Sequence, residues 1–416
     1  MKDFAFLPAV TLMRRADGDD KNVQGKGNCV EAPSCGIRFN NGHGSGEMHI
    51  PIPEEIREKL QRIRVFLEQK GYGALILGRR DNFAWFTGGG DSTVIRSSEI
   101  GFALLVITMD AVHFVAQTMD GPRILDEEMQ GMQVEPAFLR WHDETREEKA
   151  LGLAKGLKVV SDIPLTGGTM APAEIARLHY PLTEGEMERC RQLGAKTERI
   201  IASVAAELRP GMTEREVEAM FLGEYAREGM TCDVLLIGSD ERIAKYRHPS
   251  PTEKRIERIV ILHPAVRMGG LHANVTRMVW FGDRVPEETA RKYEAASRIE
   301  AAAVSLCTPG RTFASILEAQ KNLYRETGFE EEWHNHYQGG ITGYLLAEPT
   351  LCMDPAAVVS PNQAFDWFIT ITGVKVEELS LTGRKGPEVV SVSGRWPVRT
   401  YEYDGRSFEL PAILMK

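Results

Sequence analysis

From Pro53 onward, the apolar positions of this chain alternate between a helical period and a strand period. Ile56, Leu60, Ile63 and Leu67 recur at helical spacing, and Gly71 is placed to end that helix. Unbroken apolar runs at 73–78, 101–107 and 112–115 predict buried strands, with helices at 123–130 and 143–155 between strands at 132–139 and 158–162. That alternation predicts a small α/β domain with a mixed sheet over residues 51–165. Residues 81–90 (Asp-Asn-Phe-Ala-Trp-Phe-Thr-Gly-Gly-Gly) read as a tight turn after a strand. They lack the Gly-x-Gly-x-x-Gly spacing and downstream acid of a dinucleotide site. Gly167, Gly168 and Pro172 mark 166–182 as a linker.

A second domain is expected over 183–416. Thr183 can cap a helix at 183–207, with Glu186 completing a capping box, and Thr213 can cap another at 213–228 after the Pro210-Gly211 break. A buried strand at 258–266, a Met268-Gly269-Gly270 turn and a return strand at 271–281 form an antiparallel hairpin. Such a hairpin points facing side chains such as His263 and Asn274 into one pocket. Helices at 286–306 and 312–327 follow, and then further strands. Residues 1–50 stand apart, rich in Gly, Asn, Asp and Lys, as either a flexible arm or an extension that packs on a neighbouring subunit.

Composition narrows the function. At 416 residues the chain is long enough for two domains with real cores. A net charge of −9 argues against a nucleic-acid partner. No apolar run is long enough to span a bilayer, and the scattered cysteines suit the reducing cytoplasm.

The hairpin and three later segments carry a resemblance. Gly270, Thr276 and Arg277 keep the frame of Asp-x-Gly...Asp-x-Thr-Arg, while His263 and Asn274 stand where the two Asp belong. Gly339-Gly-Ile-Thr-Gly343 followed by Glu348-Pro349 is similar to Gly-His-Gly-Ile-Gly...His-Glu-x-Pro, with Gly340 in the His slot. In the stretch 365–377, Phe368 falls in the first of two Glu slots and Glu377 keeps the second. Over roughly 53–395 the chain thus resembles the family of methionine aminopeptidase, aminopeptidase P, prolidase and creatinase, the pita-bread fold. The resemblance implies an α+β second domain, a curved antiparallel sheet backed by helices, behind a creatinase-like α/β domain. It also implies a homodimer in which the amino-terminal domain lies near the partner's active site.

Charge separates this chain from the family's metallopeptidases. Two divalent cations need about four carboxylates, and only Glu377 of that set remains, so a buried metal pair would lie largely uncompensated. Three N/O ligands suffice for a single catalytic zinc, which leaves His263, Glu377 and another histidine as a mononuclear reading, but no His-x-x-x-His or Glu-x-x-His spacing supports it. The expectation is no metal and no cofactor. His248, in Lys245-Tyr-Arg-His-Pro-Ser250, matches the family histidine that shuttles a proton over the substrate. Glu348 and Glu377 are then the acids that hold or polarise substrate or water, with Glu378 pointing away because adjacent strand residues face opposite sides. His263 and Asn274 replace metal as hydrogen-bonding groups, and Arg277 forks to Glu377 or to a substrate carboxylate. His336 lines the pocket or is a satisfied core histidine; Trp367 and Phe368 give an apolar wall for a flat or aliphatic group.

The leading expectation is a metal-independent, creatinase-like hydrolase or lyase that cleaves a C–N bond in a small amino-acid-like substrate. The other readings are an inactive pseudo-peptidase kept as a binding module and a divergent Xaa-Pro aminopeptidase or dipeptidase, which would demand metal.

Overall fold

A computed structural model describes residues 53–348, 354 and 356–416; the segment 1–50 lies outside the described residues. The first helix runs Pro53–Lys70 and ends at Gly71 with φ +67°, as its spacing predicts. Behind it a six-stranded mixed sheet has the order β4-β3-β2-β1-β5-β6. Its strands are β1 (Ala74–Arg79), β2 (Ile100–Thr108), β3 (Val112–Gln117), β4 (Glu135–Leu139), β5 (Val159–Ser161) and β6 (Thr169–Met170). β1, β2 and β3 pair antiparallel, whereas β4, β5 and β6 join in parallel. The stretch read as a linker therefore contributes an edge strand and a short helix, Pro172–Ala176.

One reading of the sequence is corrected here. Residues 81–90 do not form a turn: a helix occupies Arg80–Thr87 and ends at Gly88 in the left-handed region. Phe83, Ala84, Trp85 and Phe86 are all buried, so tertiary packing decides the conformation and the glycines serve as a helix stop.

Capping boxes at Thr183 and Thr213 start the helices Glu184–Glu207 and Glu214–Arg227. The sheet beside them contains β7 (Thr231–Ser239), β8 (Ile259–Met268), β9 (Leu271–Asn274) and β10 (Arg277–Trp280). The expected return strand is thus broken at Val275 and Thr276, where Thr276 N–H donates to Glu377 O instead of continuing the ladder. In consequence His263 and Asn274 are not facing partners: Asn274 lies opposite Ala265, and His263 lies opposite Leu236 of β7. The turn between β8 and β9 needs Gly270 (φ +79°), where a Cβ would come within 2.5 Å of Ala84 Cβ and 2.8 Å of the Tyr344 ring.

Helices Glu287–Leu306 and Phe313–Glu326 back the remaining strands. β11 (Gly339–Thr342), β12 (Ala364–Trp367), β15 (Leu379–Gly383) and β16 (Gly386–Val389) form one antiparallel sheet. β13 (Ile369–Ile371) and β14 (Val374–Val376) make a hairpin inserted between β12 and β15 in the sequence. One apolar core runs without interruption from Leu67, Trp85 and Leu105 of the first domain to Met187, Ile201, Val217 and Val260 of the second. A buried ion network crosses the same boundary. Lys59 Nζ lies 2.5 Å from Glu55 and 2.7 Å from Glu186, Arg189 donates twice to Glu55, and the Tyr344 hydroxyl donates to Glu186 at 2.7 Å.

Candidate active site

The sheets meet around a cavity of about 260 Å3. β7 brings Val234 and Leu236, β8 brings His263 and Ala265, and β9 brings Asn274. Lining residues on a strand lie two apart, as the pleat requires. The same period places Lys375 of β14 and Glu377, just past its end, on the cavity side. Phe368, Tyr337, Leu346, His248 and His336 complete the walls. A larger cavity of about 790 Å3 lies elsewhere, lined by Arg80, Arg96, Asp233 and Arg267, and shares only Leu346 with this one.

The floor is a closed set of charges. Lys375 Nζ lies 2.6 Å from Glu377 Oε2 and 3.5 Å from both ring nitrogens of His263. His263 Nδ1 lies 2.9 Å from Thr276 Oγ1 and 3.0 Å from Glu377 Oε2, and the Thr276 hydroxyl donates to that same oxygen at 3.0 Å. With the threonine hydrogen directed to the carboxylate, Nδ1–H of His263 is the donor and its Nε2 remains an acceptor. Burial lowers the His263 pKa, against the pull of Glu377 and with the push of Lys375, so the imidazole is neutral near pH 7. Burial also pushes the Glu377 carboxyl upward, but its contacts with His263 and Lys375 outweigh this and hold it well below the ordinary carboxylate range. Beside it Asp366 is buried, and burial together with the Glu377 charge raises its pKa far above the usual value, against the opposing pull of Lys375 and Asn274.

At the mouth, His248 Nε2 and His336 Nε2 are 3.0 Å apart. His336 Nδ1–H donates to Tyr337 O at 2.5 Å, so its Nε2 accepts from His248 Nε2–H. That leaves Nδ1 of His248 as the available base of the pair. Burial, reinforced by Lys375, lowers the His248 pKa. Burial likewise brings that of His336 down to about 4, although the bond to Tyr337 opposes it. Both rings are therefore neutral at pH 7. Phe368 stands edge-on to Tyr337 with centroids 5.2 Å apart, and Lys375 Nζ lies 5.5 Å from the Phe368 centroid.

Of the residues expected from sequence, His248, His263, Asn274, His336, Phe368 and Glu377 meet at this cavity. Three do not. The Glu348 carboxylate accepts from the Tyr180 hydroxyl at 2.8 Å and does not line the cavity, because its backbone bridges to Ile341 and turns the side chain aside. Trp367 faces the helical side of the sheet, where its Nε1–H donates to Cys307 Sγ at 3.2 Å. Arg277 is fully buried on the far side of β10, bonded to Glu378 and, at 2.8 Å, to Ser391 O; it reaches neither Glu377 nor the cavity. Glu378 thus points away from the cavity, as alternation requires, and burial raises its carboxyl to about 7 in spite of Arg277. Sequence reasoning missed Lys375 and Asp366. The period that turns Glu378 outward equally turns Lys375 inward, and that was the available signal.

These residues do not fit a pair of metal ions. Asn274 and Phe368 supply no anionic donor, Gly340 has no side chain, and the ammonium of Lys375 already contacts Glu377 and His263. Among the described residues, no three His, Cys, Asp or Glu side chains are grouped to hold a metal.

Residues 188–365 match the model of metallopeptidase family M24. The probable dipeptidase PepE of Mycobacterium tuberculosis is 26% identical over 225 residues, covering 52% of this chain and 60% of the relative's own length. Among solved structures, the Xaa-Pro dipeptidase from Bacillus anthracis superposes with a TM-score of 0.69 at 16% identity, covering 87% of this chain and 100% of that one. The prolidase from Pyrococcus horikoshii OT3 does so with a TM-score of 0.66 at 17% identity, covering 85% and 100%. A small α/β domain in front of a pita-bread domain is thus shared with these solved structures, and within the second domain residues 188–365 are similar to metallopeptidase family M24.

Proposed function

We propose that this chain is a peptidase-like hydrolase that cleaves a C–N bond in a small amino-acid-like or dipeptide-like substrate without a metal pair. One observation carries the reading: the His248–His336 pair, 3.0 Å apart, stands over a cavity whose floor holds the Lys375–Glu377 ion pair. In the proposed reaction, His248 Nδ1 takes a proton from a water as that water's oxygen attacks the carbonyl or amidino carbon. As the C–N bond breaks, His248 returns the proton to the departing nitrogen. His336 accepts the hydrogen bond that fixes the orientation of His248. Glu377, ionised and fixed by Lys375, Thr276 and His263, gives a protonated amine of the substrate a partner. Phe368, Tyr337 and Leu346 supply the apolar wall.

The relatives named as dipeptidases and prolidases make dipeptides, Xaa-Pro among them, the first substrates to try. Lactams and amidino compounds come next. Turnover is measured on chelator-treated protein with His248→Ala as the control; turnover that survives this substitution refutes the assigned role. A second reading, a binding module without turnover, is favoured by the position of Glu348 on Tyr180 and away from the cavity. Saturable calorimetric binding of a dipeptide with no product formed would select it. We further propose a homodimer in which the first sheet domain lies near the partner's cavity, checked by light scattering.

A further inference from the structure

The larger cavity, of about 790 Å3, gathers guanidinium groups that no carboxylate serves. Arg80 and Arg96 both line it, and both also line an adjoining cavity of about 370 Å3, together with Thr231 and Arg267. Arg80 Nη1 donates to Arg96 O at 2.9 Å, and among the described residues neither guanidinium meets a carboxylate. Arg267 gives only Nε to Asp233, at 2.9 Å, and its two terminal nitrogens have no protein partner among those residues. Free positive charge of this kind stands out in a chain of net charge −9. We infer that the place where these two cavities meet is a binding site for a small organic oxyanion, its phosphate or carboxylate head held by Arg80, Arg96 and Arg267 and its apolar body against Leu222, Tyr225 and Met230.

The acids around the site are already occupied. Asp233 Oδ2 accepts from Arg267 and lies 3.1 Å from His272 Nε2. Asp81 and Glu99 pair with Arg79 at 3.0 and 2.8 Å. In the adjoining cavity Glu128 accepts from Arg123 at 3.0 Å and from the Asp91 N–H at 2.9 Å, while Asp91 accepts from the N–H and hydroxyl of Thr93. Guanidinium groups that line one partly enclosed space repel one another, and an oxyanion placed between them replaces that repulsion with forked, charge-assisted hydrogen bonds. The volume exceeds what inorganic phosphate fills and falls in the range of sites for whole small molecules. The site is also separate from the reaction cavity. β9 places His272 at the larger space and Asn274 at the smaller, and Leu346 stands in the wall of both.

This site does not depend on the reaction proposed for the smaller cavity, and its test needs no turnover. The full chain is titrated by calorimetry with phenyl phosphate and phenylacetate, which distinguish the two heads, and with inorganic phosphate and benzyl alcohol as head alone and body alone. One of the two aromatic anions should bind once per chain with a Kd below about 1 mM, and at least about tenfold more tightly than inorganic phosphate or benzyl alcohol. Arg80→Gln and Arg96→Gln should each weaken that binding at least about tenfold, and Arg96→Glu, at an exposed position, should abolish it. Arg209→Gln, exposed and outside both cavities, should leave it unchanged. No saturable binding of either aromatic anion, binding that survives the changes at Arg80 and Arg96, or an equal loss in Arg209→Gln would overturn the inference. So would inorganic phosphate or benzyl alcohol that binds as tightly as the aromatic anions. Absence of hydrolysis would defeat the reaction at the smaller cavity alone and leave this result standing.

Discussion

Glu55→Gln tests the ion network between the two sheet domains. Glu55 is 4% exposed, receives two hydrogen bonds from Arg189 at 2.7 and 3.0 Å, and lies 2.5 Å from Lys59 Nζ. Burial raises its carboxyl, but Arg189 and Lys59 more than reverse this and lower the pKa from 4.5 to about 2. Such a drop corresponds to roughly 3 kcal/mol of folding free energy, reduced to about 2–3 kcal/mol by solvent at the rim of the network. Because the folded value is depressed, the contribution is fully present above pH 4.5 and is lost as the pH falls toward 2. Glutamine keeps the size but removes the charge. Lys59 then retains Glu186 at 2.7 Å, so the loss should not reach the about 3–5 kcal/mol of a fully stranded buried ion. Urea unfolding at pH 7 should show Glu55→Gln less stable than wild type by about 2–3 kcal/mol, with the gap narrowing steadily between pH 4.5 and 2. A gap that is absent at pH 7, or that does not change across that window, would refute the reasoning.

Other predictions follow from the cavity. Glu377→Gln should cost about 3–5 kcal/mol, because it strands Lys375, and Lys375→Met in the same chain should recover much of it; additive losses in the double-mutant cycle would deny the coupling. His248→Ala should lower kcat by about 10²–10⁴-fold. The acid limb of the wild-type pH–rate profile should lie below 6.5, because burial lowers the His248 pKa and protonation removes the base; a limb above 6.5 would contradict that. Glu348→Gln should leave kcat/KM unchanged, since its carboxylate is bonded to Tyr180 outside the cavity; a large loss would place it back in the chemistry. Gly270→Ala should destabilise by about 1–3 kcal/mol through its φ of +79° and contact with Ala84, read from the urea midpoint.

Much of this architecture was legible because local signals agreed with tertiary packing. The capping boxes at Thr183 and Thr213 begin the expected helices, and the apolar runs become β1, β2, β3 and β8. Where local and tertiary signals disagree, packing decides. The polar Asp81-Asn82 start and the glycines that follow resemble a turn, yet four buried side chains make 80–87 a helix. Position in a motif picked out His248, His263 and Glu377, which line one cavity, but could not give side-chain direction. Glu348 and Trp367 occupy expected places in the sequence and face away, the first through its backbone bridge to Ile341 and the second by strand alternation. Lys375 belongs to no motif, and only its two-residue spacing from Glu377 on the same pleated stretch marks it as facing the cavity.

The continuous apolar core has a consequence for how a ligand arrives. Leu67 and Trp85 share one apolar core with Val217 and Val260, so among the described residues a swing of the front lobe would have to tear that core. For the same reason, severing the lobe at the interlobe segment would bare Met187 and Ile201 to water, and the remainder should aggregate rather than persist as a free-standing module.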